Sequence, residues 1–570
     1  MSTHARPLAD WLAAASDDEL RRLFRARRVR PDAAWQDFFD AAESLLDPAS
    51  LAKTLPTLTA AEAASLLHAA QGGGAGAQRE QLTALALLRP DGTPYPPVIT
   101  AVAGRSAEAL TSTPSVASRS SESAAAHAAE RAFTTVSVLA DLLLIARESP
   151  FALLTGGTVN AGEKRQLAEA GIPTEIVDAL MSVAVEAGLA VVTDRQLRTS
   201  QSAEEWLRSP AVARWSVLAT AYRDALPRGV RSPSGGWIPP EAWIGAHPWD
   251  PAWPERSRML HDAARLLGLI AEDGTEPEWA IGLRDGGATD ASALARLLPA
   301  EVDRIFLQND LTAIAPGPLE PALDVRLRTI AARESAAQAS SYRFTAESVA
   351  HAFAAGETEA SILEFLGGLS LTGIPQPLAY LISQTAQRHG LVRVSTDEET
   401  GRTRIESVDS HLIDAMAVDQ SLRPLALTAH VGSLTTRVSR ETVYWALTDA
   451  RYPATLVGAD GALLVRERHP APPAAPSQDD ASELTPLIER LRSHQGPDAD
   501  AAWLDRELEA AVRAKSVLQV TVGMPDGSTR ELLLEATGMG GGRLRGRDRA
   551  ADVERTLPVS SILAATIVAP

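Results

Sequence analysis

The sequence YRFTAESVAHAFAAG at residues 342–356 is followed closely by ILEFLGGLSLTGIPQPL at 362–378 and RHGLVRV at 388–394. Thr345 is a residue type that caps helix N-termini, and the helix that it begins ends near Gly356. A second helix ends at a Gly-Gly pair, and Pro375 suits the first position of a third helix. The chain then becomes apolar after Gly390 and turns back on itself. Three helices followed by a two-stranded hairpin predict a winged helix.

The same order, a helix followed by an extended hairpin, recurs along the chain. Gly closes helices because it adopts the left-handed conformation, and Asp-Gly pairs supply the tight turns of hairpins. We predict five such winged-helix-like units, at residues 82–100, 176–194, 266–274, 377–405 and 443–465.

The segments beyond residue 483 have a different pattern. A helix from about residue 501 to 514 precedes short runs that alternate between apolar and polar residues, with a turn at Asp526-Gly527. Such runs are typical of strands in a small barrel. The predicted strands lie at residues 518–522, 530–534, 543–547, 555–557 and 562–568.

A chain of 570 residues is too long for one compact core, and typical domain sizes predict about three to five units. We predict a predominantly helical, multidomain α+β fold with several winged-helix-like modules and a small C-terminal SH3-like β-barrel. The predicted segments are a helical or winged-helix-like domain (1–105), a Ser/Ala-rich linker (106–130), a winged-helix-like domain (131–228), a Trp-rich segment with a winged-helix-like end (229–300), a domain with winged helices (301–468), a Pro/Ala-rich linker (469–483) and the barrel (484–570).

The composition limits the classes of function. There are 54 Lys and Arg against 72 Asp and Glu, a net charge of −18, so any nucleic-acid site must be local rather than a result of bulk charge. With 0 Cys, the chain has no disulfide framework and no Cys-based zinc site, which fits a reducing cytoplasm. The longest apolar stretch, around residues 136–146, is shorter than the ~20 residues of a membrane span, so we expect no membrane partner.

The sequence lacks a recognisable catalytic motif. A helicase motor needs a phosphate-binding loop, and the nearest approach is GTVNAGEK at residues 157–164. Glu163 separates the final Gly from Lys164, and Arg165 replaces the required Ser or Thr, so Lys164 is interpreted as part of a solvated helix. The acidic run 397–399 falls in a predicted hairpin turn, and the 11 His show no zinc-ligand spacing. We predict no catalytic residues, no metal site, no cofactor and no enzymatic activity.

Four ordered blocks resemble the N-terminal domain that precedes the motor in XPB-type DNA helicases. They are IFLQNDLTAIAPGPL (305–319) and the three segments quoted first, 342–356, 362–378 and 388–394. With the helical segments before them, the chain looks like helicase-associated proteins common in actinobacteria, which carry this domain without a motor. The resemblance implies a role in nucleic-acid metabolism.

STRELLLEATGMGGGRLRGRDRAADVERTLPVSSI, residues 528–562, more loosely resembles a WYL domain. That domain is an SH3-like barrel with which bacterial regulators sense or bind nucleic acids or nucleotides. This chain has Gly542, Arg543 and Leu544 in the neighbourhood of the namesake Trp-Tyr-Leu. Ser560 and Ser561 stand where an Arg is usual near the last strand.

Two Arg-rich stretches are candidate nucleic-acid-binding sites. In the first, Ser16 and Glu19 predict a capping box, and the helix that follows places Arg21, Arg25 and Arg28 on one exposed face. The alternative is a solvated face paired with nearby acids. In the second, strand alternation points successive Arg to one side, where they contact phosphates or stack on bases; the alternative is surface solubility. The candidates in this stretch are Arg543, Arg545, Arg547 and Arg549.

Two weaker candidates lie between these stretches. Trp237, Trp243, Trp249 and Trp253 are of a type that stacks on unpaired bases, but anchoring of an irregular segment is the favoured interpretation. The predicted wing carries Arg393, Arg402 and Arg404 beside the acidic run 397–399, so it suits a protein partner as well as DNA.

These observations favour a DNA-binding accessory protein that acts with a separate helicase or DNA-repair machinery in the cytoplasm, including at the nucleoid. Single-stranded or forked DNA is favoured over a specific duplex. One alternative is a WYL-type transcriptional regulator that senses a nucleotide or oligonucleotide. A protein-docking scaffold is the other, and the charge of −18 is compatible with it.

Overall fold

The structure, a computed structural model, describes residues 5–107, 118–336, 339–466, 468–473, 483–495, 497–524 and 527–568. Helices account for 49% and strands for 18%, with the strands arranged in several sheets. The predominantly helical α+β class is therefore confirmed. Buried apolar side chains gather in five hydrophobic cores.

The first core is formed by the N-terminal helices. Leu20, Leu23 and Phe24 face inward from α2, and the predicted capping box of Ser16 and Glu19 begins that helix. Apolar spacing and capping thus fix its position as the sequence predicts. The helices are α1 (Arg6–Ala14), α2 (Asp17–Ala26), α3 (Phe38–Leu46), α4 (Pro48–Thr54), α5 (Ala60–Ala70), α6 (Arg79–Ala84) and α7 (Pro96–Val102).

The second core draws its buried residues from Ala128 to Leu294, with Val325 added from a later helix, and so crosses the predicted boundary at residue 228. Its long helix begins at Glu122, capped by Ser121, so the end of the predicted linker 106–130 is helical. Residues 108–117 of that linker lie outside the described residues. The elements are α8 (Glu122–Glu148), β1 (Phe151–Ala152), α9 (Ala161–Glu169), α10 (Thr174–Glu186), β2 (Ala190–Thr193), β3 (Gln196–Thr199), α11 (Ser202–Arg208), α12 (Ala211–Ala225), α13 (Trp253–Leu266), α14 (Glu278–Arg284) and α15 (Ser292–Ala295).

The third core lies between a four-stranded antiparallel sheet, in the order β4-β5-β7-β6, and four helices. Thr345 caps α17 as predicted, in a reciprocal pair with Ser348. Leu378 and Ile382 of α19 are buried against the other helices. The elements are β4 (Phe306–Leu307), β5 (Thr312–Ala315), α16 (Pro321–Ile330), β6 (Ala332–Ala336), β7 (Ser340–Arg343), α17 (Ala346–Ala354), α18 (Glu359–Leu369) and α19 (Gln376–Arg388).

The fourth core underlies a six-stranded mixed sheet in the order β10-β11-β9-β8-β12-β13. The predicted wing is the β8–β9 hairpin, but β11 pairs with β9 and β12 runs parallel to β8. The hairpin is therefore the centre of a sheet. The elements are β8 (Val392–Thr396), β9 (Thr403–Ser407), α20 (Ser410–Val418), β10 (Thr428–His430), β11 (Ser433–Thr436), α21 (Arg440–Asp449), β12 (Ala454–Val457) and β13 (Leu463–Leu464).

The five predicted winged-helix units are not confirmed. In the first and third, an Asp-Gly turn forms as expected. The backbone N–H of Thr93 donates to the carboxylate of Asp91, and that of Thr275 donates to the carboxylate of Asp273. A helix rather than a returning strand follows each turn, because Pro favours helix starts and cannot donate to a sheet ladder. Strands form in the other three units, and those of the fourth and fifth merge into one sheet.

The fifth core belongs to a C-terminal five-stranded sheet in the order β17-β16-β15-β14-β18. All neighbours are antiparallel. In the described residues, β17 and β18 are not bonded to each other, so no barrel is closed. The elements are α22 (Thr485–Ser493), α23 (Pro497–Ala514), β14 (Val517–Gly523), β15 (Thr529–Gly540), β16 (Arg543–Asp548), β17 (Val553–Pro558) and β18 (Ile562–Val568).

The two helices before this sheet also pack on the first core. Leu487 and Leu491 of α22 and Trp503 of α23 are buried there, whereas Leu508 of α23 is buried in the fifth core. Arg492 also donates to the carbonyl of Ala13 at 2.6 Å. The helices that follow the predicted boundary at residue 484 therefore share a core with the N-terminal helices, and the division into domains stays a prediction.

Candidate nucleic-acid interface

Strand β16 presents a row of Arg on its outer side. Its burial alternates strictly, with Arg543, Arg545 and Arg547 exposed and the residues between them buried. The alternation follows from the pleat of a strand, which directs successive side chains to opposite faces. The first three Arg of the stretch therefore lie on one face, as predicted from the spacing.

The half of this face nearest the end of β16 is neutralised by acidic residues. Arg547 lies 2.7 Å from Asp552, and the hydrogen bond from this guanidinium raises its pKa. Arg549 lies 3.4 Å from Glu535. Since both guanidinium groups already have a carboxylate partner, they offer less attraction to phosphate than their number indicates.

The other half of the face carries free positive charge. The guanidinium groups of Arg543 and Arg545 have no hydrogen bond or ion pair with the part of the chain that the structure describes. Arg543 faces Gly540 on one side and Pro558 on the other. Arg545 faces Gly538 and Thr556. None of these four neighbours is charged, so both guanidinium groups are available to a ligand.

Glycines make this half of the face flat. Arg545 faces Gly538, and β15 bulges next to this position, where the register shifts after Ala536. A Cβ atom added at Gly538 or Gly540 would meet nothing within 4 Å. A ligand can therefore approach the backbone of β15 directly beside the two guanidinium groups. The run GMGGGR at residues 538–543 is the sequence signal that marks these glycines.

The N-terminal Arg cluster is arranged differently from the prediction. Helix α2 ends at Ala26, and Arg28 lies beyond it in a left-handed conformation with φ 52°. Arg21 forms an ion pair with Asp18, whereas Arg25 is exposed. The predicted common face of Arg21, Arg25 and Arg28 is therefore incomplete, because the helix stops before the third residue.

Arg27 of the same stretch is a structural residue. Its side chain is buried, donates at 2.7 Å to the carbonyl of Leu85 and also bonds the carbonyl of Leu45 and the hydroxyl of Ser50. Burial lowers its pKa to about 10. This guanidinium satisfies backbone acceptors inside the first core and cannot reach a ligand.

The Trp series anchors an irregular segment, as the favoured interpretation states. All four indoles are buried, and each N–H donates to a protein oxygen at 2.7–2.9 Å. Trp249 enters the first core, whereas the other three lie in the second. His247 lies between these cores and bonds the carbonyl of Leu58 at 3.0 Å. Stacking of these Trp on bases would require the segment to leave its core.

Lys164 and the acidic run have ordinary structural surroundings. Lys164 lies on α9, which Asn160 caps, and forms an ion pair with Asp178. Asp397 accepts backbone hydrogen bonds within its own turn, and Arg404 lies 3.7 Å away. Within the described ranges, no group of three His, Asp or Glu is placed to hold a metal ion. No helix in those ranges is both long and apolar enough to span a membrane.

A partly buried ionic cluster connects the third core to the second. Asp141 of α8 accepts hydrogen bonds from Arg328 of α16, at 2.7 Å, and from Arg333 of β6. Asp324 lies 3.7 Å from Arg328 and accepts a hydrogen bond from Tyr342 at 2.6 Å. The two contacts of Asp141 join residues almost two hundred positions apart, and no local sequence signal predicts them.

The comparisons with known proteins concern the third and fourth cores. The family described as helicase conserved C-terminal domain matches residues 305–430, which extend from β4 to β10. No curated protein matches the chain. The free Arg543 and Arg545 lie outside the matched region. The chain thus contains a segment similar to a helicase C-terminal domain, which supports a helicase-associated protein with a nucleic-acid-related role.

Proposed function

We propose that the chain is a non-catalytic DNA-binding accessory protein that acts beside a separate helicase or DNA-repair machine in the cytoplasm, including at the nucleoid. The observation that carries this proposal is the pair Arg543 and Arg545, which is exposed, has no acidic partner among the described residues and is flanked by Gly538 and Gly540. In a chain of net charge −18, a nucleic-acid site must be local, and such an uncompensated pair meets that condition.

The geometry suits a single strand or the single-stranded arm of a fork. Two residues along a strand separate the two Arg by roughly 7 Å, so they can contact consecutive phosphates of an extended strand. Guanidinium groups bind phosphate bidentately and stack on bases. The open glycine surface leaves room for sugars and bases beside them, which a side chain at Gly538 would occupy.

The relation to helicases supports an accessory role. We propose that residues 305–430 correspond to the domain found in XPB-type helicases and that the chain is an actinobacterial protein carrying it without a motor. The matched family is described as a C-terminal domain, so a position before the motor is part of this proposal. The nearest candidate for a phosphate loop is engaged elsewhere, since Lys164 is paired with Asp178.

The C-terminal sheet is proposed to be a WYL-like, SH3-like unit. Strands β14 to β17 form a meander, and β18 returns to pair with β14. A sheet with this strand order approaches a barrel when it curves so that its two edge strands come together. In this proposal, Gly542, Arg543 and Leu544 stand in the neighbourhood of the namesake Trp-Tyr-Leu. This position favours contact with a nucleic-acid backbone.

The proposal is tested by fluorescence anisotropy of labelled single-stranded, duplex and forked DNA. The full chain is compared with an Arg543→Ala/Arg545→Ala variant and with an Arg547→Ala/Arg549→Ala variant, which removes the same charge from the paired half. We expect the first variant to lose most single-strand affinity and the second to retain it.

Other outcomes would favour the alternatives. Absence of DNA binding by the unmodified chain at low salt would remove the proposal and favour a protein-docking scaffold. Displacement of DNA by a mononucleotide would favour a ligand-sensing regulator. Equal losses in the two double variants would show that total charge, not the open half of the face, governs binding.

A further inference from the structure

Helix α19 carries an unusual exposed face. Gln376, Tyr380, Gln384 and Gln387 are spaced by four, four and three residues, so they form one stripe along the helix. All four are exposed, and Tyr380 is 66% accessible. Their side chains make no hydrogen bond or ion pair among the described residues. Three free amides and a free phenol on one stripe are hydrogen-bonding groups without a partner.

This face lies in the longest acid-free part of the chain. Residues 365–396 contain no Asp or Glu, although the chain has 72 of them among 570 residues, about one in eight (72/570). The same stretch holds Arg388 at the exposed end of α19. Because the rest of the molecule is strongly acidic, this surface is where a polyanion meets the least repulsion.

Acidic residues on the helices that pack around α19 are occupied or distant. Glu357 binds Arg326 at 2.9 Å, and Glu364 also interacts with that guanidinium. Glu347 lies 4.0 Å from Arg451. Glu359 begins α18, at the end opposite the turn that leads to α19. The stripe therefore keeps its neutral to positive character in the folded protein.

The chemistry of the stripe distinguishes the classes of partner. A helix that docks into a protein groove presents apolar residues on its outer face. The buried residues of α19, Leu378, Ile382 and Thr385, instead face the third core, and the outer stripe is polar. Gln side chains bond base edges, and a helix fits the major groove of B-form DNA. The major groove of an A-form RNA duplex is too deep and narrow for side chains to reach the base edges. At 13 residues, α19 is about 20 Å long, enough to cross the groove.

We propose that the outer face of α19 is a second DNA-binding surface that enters the major groove of a B-form duplex. Arg388 contacts a phosphate, and Gln384 and Gln387 contact base edges. Helix α18 and the short turn after it support α19 as in helix-turn-helix proteins. This surface is separate from Arg543 and Arg545. A forked DNA therefore offers its duplex part to α19 and its single-stranded arm to Arg543 and Arg545.

The experiment compares two matched variants of the full chain. Gln387→Ala/Arg388→Ala removes adjacent exposed residues from α19, and Arg165→Ala/Gln166→Ala removes the same pair of residue types from α9. Affinity is measured by anisotropy for duplex DNA, single-stranded DNA and an RNA duplex of the same sequence, across a salt series. Thermal unfolding midpoints confirm that both variants are folded.

We expect the α19 variant to bind duplex DNA about tenfold more weakly, with a salt slope reduced by about 1, and to keep its single-strand affinity. The α9 variant should match the unmodified chain. A Gln384→Ala variant should weaken duplex binding without changing the salt slope, because it removes no charge.

Three results would overturn the proposal: equal duplex affinity of the α19 and α9 variants, equal binding of the DNA and RNA duplexes, or no duplex binding by the unmodified chain. In the last case, single-strand binding that depends on Arg543 and Arg545 would leave the proposed function intact. Conversely, duplex binding lost only in the α19 variant would support this surface even if the C-terminal face proved inactive.

Discussion

The two Arg-rich stretches, residues 21–30 and 543–549, look similar in sequence but differ in structure. In the first, the helix ends at Ala26, and Arg27, which caps its C-terminus, is buried in the core, whereas Arg28 follows in a left-handed conformation. In the second, a strand keeps Arg543 and Arg545 on one exposed face. A helix of 3.6 residues per turn distributes closely spaced Arg around its axis, whereas a strand of period two aligns alternate ones.

The partners of each Arg complete the contrast. Arg21 is paired with Asp18 on its own helix, and Arg547 and Arg549 are paired with Asp552 and Glu535. Local charge density therefore overstates the charge available to a ligand in both stretches. What distinguishes a binding surface is the absence of a carboxylate within reach, which depends on strand register and turns.

The largest effect that we predict is a difference in stability between variants of Arg27 and of its neighbour Arg28. Arg27→Ala should lower the free energy of unfolding by about 2–4 kcal/mol, because the buried carbonyls of Leu85 and Leu45 lose their donor. Arg28→Ala, one residue away and exposed, should change it by less than about 0.5 kcal/mol. Urea denaturation of both variants measures the difference, and equal losses would contradict the buried role of Arg27.

The next effect concerns affinity and not stability. Arg543→Ala/Arg545→Ala should weaken single-stranded DNA binding about thirtyfold or more, because each of the two charge-assisted phosphate contacts contributes roughly 1 kcal/mol or more. Arg547→Ala/Arg549→Ala should weaken it about threefold at most, since those guanidinium groups bind carboxylates. Anisotropy titrations measure both. A larger loss in the second variant would show that the ion pairs open to receive DNA.

A smaller effect is expected at the N-terminal cluster. Arg25→Ala/Arg28→Ala should reduce single-stranded DNA affinity less than threefold, because these side chains do not share a face and Asp18 and Asp32 lie close in sequence. The same titration measures it beside the C-terminal variants. A loss as large as that of Arg543→Ala/Arg545→Ala would make the N-terminal cluster a DNA contact in its own right.

The smallest effect is a pH dependence of stability. Burial lowers the pKa of His247, so the folded protein resists a proton that the unfolded chain takes up below about pH 6.5. Stability should therefore fall as the pH drops from 7.5 to 5.5. Asn at position 247 can keep the bond to Leu58, and His247→Asn should reduce the fall by under about 1 kcal/mol. Urea denaturation at each pH measures the fall, and an identical pH profile of the unmodified chain and the variant would show that folding does not lower the pKa of His247.

Local patterns predicted the local structure well. The capping boxes at Ser16 and Thr345 begin helices, and the strands expected at 518–522, 543–547 and 562–568 form within a residue or two of those limits. Caps, turns and alternation act over a few residues, so the sequence states them directly.

Long-range packing was not predictable in the same way. The β8–β9 hairpin has the local pattern of a wing, but β11 and β12 pair with its two edges. Helix α22 follows a predicted linker and packs on the first core, held by Arg492 at the carbonyl of Ala13. A single sequence shows which residues are apolar, and not which distant surface they meet. The pairing of Arg547 with Asp552 is local by contrast, and it depends on how the chain turns between β16 and β17.

The central claim is that Arg543 and Arg545 each contact one phosphate of a single DNA strand. The most direct measurement is the salt dependence of affinity for single-stranded DNA, for the full chain and the Arg543→Ala/Arg545→Ala variant. Each phosphate contact contributes about 0.7 to the slope of log affinity against log salt, so we predict a slope shallower by about 1.4 in the variant. An unchanged slope would contradict the claim, because it would show that neither guanidinium displaces counterions from the DNA.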